Sequence, residues 1–315
     1  MAKMNIVKSM EKQDKILITG ASGMIGSAMC RVLRGQGYEN LLTPSHAELD
    51  LTKQALVQDY FAKEKPDYVF HLAAIVGGIH ANNTYPAKFV YENTAMHSNV
   101  IDAAYRAGIK KLLFPGSACT YPKFAPQPVQ EASFLDGLIE PTNLAYASAK
   151  INGIVMAQSY RKEYGFKTII PMPTNSYGIG DNFNPEYSHV IPALMSRFVL
   201  ATKQELPNIE IWGSGTPLRE FIYADDVADG MIFLMQNYDE GQIINLGSGE
   251  EISIFELAKL IAEIVGYKGE LTLDETKPDG APRKCLDSSK IKSMNWRPSC
   301  NLREGLQKMY EHHYG

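Results

Sequence analysis

The sequence predicts an α/β fold built on a doubly wound parallel sheet, and three observations carry that prediction. Short apolar runs alternate with stretches of helical period through the first half of the chain, as repeated βα units require. The first apolar run, Lys15-Ile-Leu-Ile-Thr19, opens straight into Gly20-Ala-Ser-Gly23-Met-Ile-Gly26, and a helical pattern follows. A third run, Tyr68-Val-Phe-His71-Leu-Ala73-Ala74, ends in small residues, where an open α/β sheet lets a ligand lie against backbone.

Composition fits such a fold and narrows the function classes. The chain has 315 residues, 45% of them hydrophobic and 21% charged, enough for a sizeable core. A formal net charge of -4 and the lack of any basic block argue against a nucleic-acid partner. No apolar run reaches the length of a bilayer, so no membrane association is expected. Residues 1–14 are polar, without a long apolar core or cleavage pattern, and read as a loose tail rather than a signal peptide. Cys30, Cys119, Cys285 and Cys300 show no CxxC spacing, so neither a metal site nor a disulfide framework is expected. Unpaired cysteines point to a reducing cytoplasm.

Taken in order, the first strand, glycine turn and helix make a dinucleotide-binding beginning of Rossmann type. The glycines allow a tight turn and a close approach by a pyrophosphate, which the free N–H groups of the helix start then face. The spacing is G-x-x-G-x-x-G, so Gly20, Ser22, Gly23, Met24, Ile25 and Gly26 are the candidate contacts. Residues 40–43 read as a second strand, followed not by a carboxylate but by Pro44-Ser45-His46. A neutral loop suits a 2′-phosphate better than an acidic one does, which favours NADP(H), with Ser45 and His46 as the nearest contacts. Asp50 and Leu51 are placed at the adenine edge, and Ala73 and Ala74 at the end of the third strand.

Residues 53–65 and 86–107 have helical patterns, stopped by Pro66 and Gly108, and residues 111–114 give a fourth strand. Beyond it lies Pro115-Gly116-Ser117-Ala118-Cys119, so Ser117 stands at a strand end facing a bound cofactor. Residues 123–142 are rich in proline and acidic residues and read as a long functional loop. The helix that follows carries Tyr146 and Lys150, four apart and therefore on one face. A phenol titrates near ~10. A neighbouring ammonium lowers that value, making the pair a candidate acid-base for carbonyl/alcohol interconversion. Residues 168–171 give another strand. From His189 the texture changes to helices at 190–202, at 253–265 behind Ser253, and one begun by Asp225-Asp226. The expected division is a cofactor domain at 15–175 and a mainly substrate-binding domain at 176–315, with segments around 220–250 returning to the first.

The glycine turn, Ser117 and Tyr146-x-x-x-Lys150 together resemble the extended short-chain dehydrogenase/reductase superfamily over nearly the whole chain beyond the tail. Longer phrases are more specific. His71-Leu-Ala-Ala-Ile-Val-Gly-Gly78, Ala81-Asn-Asn-Thr-Tyr-Pro86, Pro173-Thr-Asn175 and Asp181-Asn-Phe-Asn-Pro185 look like the GDP-L-fucose synthase family. So do Ser188-His-Val-Ile-Pro-Ala-Leu194, Trp212-Gly-Ser-Gly-Thr216 and Lys277-Pro-Asp-Gly280. That resemblance implies a homodimer that epimerises a GDP-4-keto-6-deoxy sugar at C3 and C5 and then reduces C4 with NADPH. It implies Ser117, Tyr146 and Lys150 as the reductase triad, and Cys119 and His189 as epimerase base and acid. Arg197, Trp212, Arg219, Asp279 and Lys284 would hold the GDP-sugar. Pro173 and Asn175 would lie along the cofactor, with His189 and the Tyr146–Lys150 pair beside it, and Asn175 would also reach the sugar. Two positions depart from the family: Tyr177-Gly-Ile-Gly-Asp-Asn-Phe183 replaces a Tyr-Gly-Pro-His-Asp-Asn-Phe phrase, and Ala21-Ser22 and Pro44-Ser45 stand where some members carry arginines. A reductase of a related GDP-4-keto sugar, such as a heptose, and a cofactor-binding sensor without turnover are the competing readings.

Overall fold

A computed structural model describes residues 10–315 apart from residues 186 and 278. β1 (Ile16–Thr19) is buried along its whole length, which is why its sequence is an unbroken apolar run rather than an alternating one. α1 (Met24–Gly35) starts directly on the glycine turn, and the short β2 (Leu41–Leu42) follows. α2 (Gln54–Glu64) is stopped by Lys65 in the left-handed conformation ahead of Pro66. β3 (Tyr68–His71), α3 (Ile79–Thr84) and α4 (Pro86–Arg106) come next, α4 opening on a proline that costs it no hydrogen bond. β4 (Lys111–Leu113) leads through a long loop to α5 (Leu144–Tyr164), which ends at Gly165 with φ 69°. β5 (Thr168–Pro173) and β6 (Asn175–Tyr177) complete the first half.

The remaining elements are α6 (Val190–Lys203), β7 (Asn208–Trp212), β8 (Leu218–Tyr223) and α7 (Ala224–Asn237). After them come β9 (Ile243–Leu246), β10 (Glu251–Ser253), α8 (Ile254–Val265), β11 (Glu270–Asp274) and β12 (Arg283–Lys284). The short α9 (Ser289–Ser293) and α10 (Leu302–Tyr314) close the chain, α10 behind an Asn301/Glu304 capping box.

Six parallel strands form the main sheet in the order β2-β1-β3-β4-β5-β9. Helices cover both faces: Met29 and Leu33 of α1 share one core with Val227 and Met231 of α7. Val57 of α2, Val100 and Ile101 of α4, and Ile154 of α5 share the other. The strand order reverses between β1 and β3, and the carboxyl ends of such strands are where open α/β sheets bind ligands. A second, smaller assembly centres on β8, which pairs with β10, β12 and β6, with β7 and β11 paired beside it. Its core of Tyr177, Phe198, Leu257, Ile261 and Leu306 lies between β8, α6, α8 and α10. The chain crosses between the two assemblies: α7 leaves β8 to pack on α1, and β9 joins the main sheet beside β5.

The structure corrects part of the N-terminal reading. Residues 1–9 lie outside the described residues, but residues 10–14 are not loose. Met10 is buried in the α1–α7 core and its carbonyl accepts from the Tyr38 hydroxyl, and the buried Asp14 is paired with Lys110 at 2.6 Å. Among the described residues no helix is long and apolar enough to cross a membrane, and no group of three potential ligands could hold a metal ion.

Candidate active site

The glycine turn fits a dinucleotide for reasons visible in its packing. Gly20 has φ +72°, and a Cβ there would lie 2.7 Å from the Ala73 backbone at the end of β3. A Cβ on Gly26 would sit 2.0 Å from the Gly20 carbonyl oxygen. The turn is closed by the Gly23 N–H donating to Gly20 O at 3.0 Å. α1 has no side-chain cap and no acidic residue in its first turn, so its free N–H groups face an anion without competition. Ser22 and Gly23 are exposed, Met24, Ile25, Ala73 and Ala74 half-buried. Pro173 and Asn175 close β5 and start β6, and Asn175 Nδ2 donates to Glu220 O at 2.9 Å.

The loop after β2 is not the neutral surface its sequence suggests. Glu48 Oε2 accepts from both the N–H and the hydroxyl of Ser45, each at 2.8 Å. Asp50 accepts from the Thr52 N–H and hydroxyl, and Leu51 is buried in the core with its carbonyl taken by Asn99. Leu51 can therefore shape an adenine pocket only from behind.

Ser117, Tyr146 and Lys150 do converge. Ser117 caps a one-turn 3-10 helix after β4, its hydroxyl accepting from the Cys119 N–H at 3.2 Å. Tyr146 is half-buried one turn before Lys150. Burial raises its pKa above the usual phenol value, the nearby Cys119 sulfur adds to that, and a Ser117 hydrogen bond opposes both. This corrects the expectation that Lys150 lowers it. Lys150 is 3% exposed, its ammonium donates to Pro115 O at 2.9 Å and lies 4.9 Å from the Phe114 ring, and burial alone pulls its pKa down to about 7. A lysine that gives up its proton this readily is a weak source of positive field until a ligand restores it.

Beside them lies a pair of fully buried histidines that the sequence did not flag. His71 Nδ1 is 2.8 Å from the Thr19 hydroxyl and His71 Nε2 is 3.0 Å from His97 Nδ1. Burial, reinforced by the Lys150 charge, lowers both pKa values, that of His71 to about 3, so both rings are neutral. They lock β1, β3 and α4 together under the site.

Cys119 and His189 meet through Lys284. Lys284 Nζ is 3.9 Å from Cys119 Sγ, and Asn143 Nδ2 approaches the same sulfur at 4.0 Å. His189 is the cap residue of α6 and keeps an exposed edge, yet burial and then the Lys284 charge lower its pKa from the usual histidine value. Gly78 lets the loop after β3 press against this corner, since a Cβ there would lie 2.9 Å from Ser188 O. Asn143 was missed from sequence, and only its place just ahead of the tyrosine helix could have flagged it.

Trp212, Arg219 and Lys284, three of the expected nucleotide contacts, lie on β7, β8 and β12. Trp212 is 66% exposed, with Lys277 Nζ 5.8 Å from its ring. Arg219 is half-buried and held by its neighbour, Nη1 donating to Leu218 O at 2.8 Å. Asp279 accepts from the Ser214 N–H at 3.0 Å and hydroxyl at 2.7 Å, which makes it the latch of the Gly213–Ser214 turn. Arg219 and Lys284 are register partners on β8 and β12. Arg197 is exposed on α6 and donates to Glu210 O of β7 at 2.6 Å.

Comparisons with known proteins show the family and the fold. The model of the NAD dependent epimerase/dehydratase family matches residues 16–247. GDP-L-fucose synthase 1 of Arabidopsis thaliana is 53% identical over 301 residues, covering 96% of this chain and 93% of that protein. GDP-L-fucose synthase of Escherichia coli K12 is 46% identical over 311 residues, covering 96% and 97%. Among solved structures, a GDP-mannoheptose C4 reductase from Campylobacter jejuni with NADP bound is 35% identical with a TM-score of 0.88, covering 97% of this chain and all of that one.

Proposed function

The chain belongs to the NAD dependent epimerase/dehydratase family and, within it, to the GDP-L-fucose synthases, and from that premise we propose that it converts GDP-4-keto-6-deoxy-D-mannose to GDP-L-fucose with NADPH. One observation carries the proposal furthest. Two sets of proton-handling groups, Tyr146 with Ser117 and Cys119 with Lys284 and His189, gather at one strand end. A plain reductase needs only the first set.

On this reading the cofactor lies on the glycine turn and along Ala73, Ala74, Pro173 and Asn175, mainly within residues 15–175. Residues 176–315 mainly hold the GDP-sugar, with the stretch around 220–250 returning to the sheet. When bound, the dihydronicotinamide supplies a hydride to C4. The protein's own groups do the rest. A 4-keto group acidifies the protons on C3 and C5. Cys119, which Lys284 and Asn143 both face, removes one of these protons, and negative charge collects on O4. The Ser117 and Tyr146 hydroxyls donate to that oxygen. His189 returns a proton on the opposite face, and its lowered pKa makes its protonated form a stronger acid. After inversion at both carbons, Tyr146 gives its proton to O4 as the alkoxide forms. Arg219, Trp212 and Lys284 anchor the GDP end, and Asp279 holds the loop that shapes their pocket. Exposed Tyr91 and Val90 on α4 and Val155 and Tyr164 on the adjacent α5 support a homodimer that covers these helices. Four free cysteines support a cytoplasmic setting.

Solvent exchange tests the proposal. Incubated with the 4-keto substrate in D2O without NADPH, the wild type is expected to place deuterium at C3 and C5, and Cys119→Ser is not. Unimpaired exchange in Cys119→Ser removes the thiol as base. Turnover of a 4-keto-heptose without any exchange makes the chain a C4 reductase, and no turnover of any GDP-4-keto sugar makes it a sensor.

A further inference from the structure

We propose that Glu48 is the residue that sets how strongly this chain prefers NADPH, and that it narrows the preference until NADH also serves as reductant. This deepens the reading above and rests on it for the presence of a nicotinamide dinucleotide on the glycine turn.

The argument starts from position. β2 lies at the edge of the sheet beside β1, so the loop leaving its carboxyl end borders the glycine turn. In doubly wound sheets the residues after the second strand meet the adenosine ribose at its 2′ position. The Ser45 N–H and hydroxyl, the donors a 2′-phosphate would use there, are both taken by Glu48 Oε2 at 2.8 Å. The contact is reciprocal, the Glu48 N–H donating back to the Ser45 hydroxyl at 3.3 Å. Backbone bonds from the Glu48 and Leu49 N–H groups to Ser45 O close the same turn, so the Glu48 carboxylate is returned to Ser45 by a fixed loop.

Charge makes the same point. The Ser45 hydrogen bonds lower the Glu48 pKa, so it is an anion at neutral pH. No lysine or arginine lies in residues 41–52 or in the turn at 20–26, and His46 is the sole basic residue of either. Arg31, about two turns into α1, is committed to Asp225 at 2.5 Å. A 2′-phosphate carries close to two negative charges and meets a carboxylate there, with His46 and Lys53 the nearest basic residues in the chain. A 2′-hydroxyl carries none and can donate to Glu48. Both Ser45 bonds fall on Oε2, which leaves Oε1 for that donor.

The experiment pairs two small probes that differ at the 2′ position, 2′,5′-ADP and 5′-AMP. Their dissociation constants are measured by calorimetry on wild type and Glu48→Gln, alongside kcat/KM with NADPH and NADH. Glutamine can still accept from the Ser45 N–H, so the turn is kept while the charge is lost. Wild type is expected to favour 2′,5′-ADP by no more than about tenfold. Glu48→Gln is expected to tighten 2′,5′-ADP about five- to tenfold, as one exposed charge beside a dianion predicts, and to leave 5′-AMP unchanged or weaker. The NADPH/NADH ratio of kcat/KM should rise by the same factor. A ratio unchanged within about twofold in Glu48→Gln, or a wild-type preference of about a thousandfold, overturns the proposal. Binding of neither probe overturns it together with its premise, whereas binding of both with an unmoved ratio leaves the cofactor reading standing and removes Glu48 alone.

Discussion

Lys150 and Trp212 show how differently the two assemblies build their part of the site. Lys150 is 3% exposed, bonded to Pro115 O and stacked on Phe114, over a histidine pair that is itself fully buried. Trp212 is 66% exposed at the end of β7, with one lysine over its ring. The parallel-sheet side is thus set before any ligand arrives, by packing that a substitution disturbs. The β8 side presents exposed or backbone-tethered groups that a ligand must order. Preorganised groups act on the reacting atoms, where small displacements are costly, and adaptable ones take hold of the nucleotide, where contact area counts.

The largest effect should come from the buried side. Tyr146→Phe removes one hydroxyl without opening a cavity, and a loss on the order of 10²–10⁴-fold in the reduction step is expected, with deuterium exchange at C3 and C5 retained. Rapid-quench reduction assays and exchange measured on one preparation separate the two steps. Near-normal reduction would place the proton donor elsewhere and remove the contrast between the two sides.

Arg219→Ala probes the other side. A bidentate or charge-assisted contact to a diphosphate is worth roughly 1.5–3 kcal/mol, so KM for the GDP-sugar should rise on the order of 10–100-fold. NADPH affinity should hold. If both fall together, Arg219 supports the fold or the cofactor, and the division between the two sides fails.

The Lys150 pKa gives a test by pH. Burial brings it to about 7, against an ordinary lysine value of 10.5. Between those values the unfolded chain binds the extra proton and the folded one does not, so this residue makes stability rise with pH across that window. From pH 7 to 9 the contribution is about 2 kcal/mol, read as the part of the urea-unfolding change that disappears in Lys150→Met. If catalysis uses the Lys150 ammonium, the same value predicts that kcat/KM for NADPH falls on the basic side of about pH 7. A profile flat to pH 9 would show that Lys150 is not the group whose charge catalysis uses.

What the sequence disclosed follows the same division. The glycine turn and Tyr146-x-x-x-Lys150 are local, and their spacing alone states a geometry, a tight βα turn in one case and one helical face in the other. Cys119 and Lys284 are 165 residues apart and meet only because β12 pairs with β8, a register that no periodicity announces. Glu48 is hidden for another reason: it lies six residues past β2, and only the turn begun by Ser45 folds its carboxylate back to that loop. The final helix was missed although Asn301 and Glu304 carry capping-box spacing, because its exposed face dilutes the apolar pattern behind only Leu306 and Met309. The direction of the Tyr146 shift needed the structure outright, since burial and the Cys119 sulfur outweigh the hydrogen bond from Ser117.

Trp212→Ala should have the smallest structural effect and so sharpens the contrast most cleanly. The ring is two-thirds exposed at 66%, so truncation removes little from the core, and the change in unfolding free energy should stay within about 0.5 kcal/mol. If the ring covers the guanine or ribose, the same change should raise KM for the GDP-sugar by roughly five- to tenfold, the value of one aromatic contact, with kcat unchanged. A drop in stability of about 2 kcal/mol would mean that Trp212 is held more firmly than its exposure implies. An unchanged KM would mean that the nucleotide passes the ring by. A fall in kcat with KM unmoved would tie this distant, exposed side chain to the transition state, and the two sides of the site would then differ in burial but not in role.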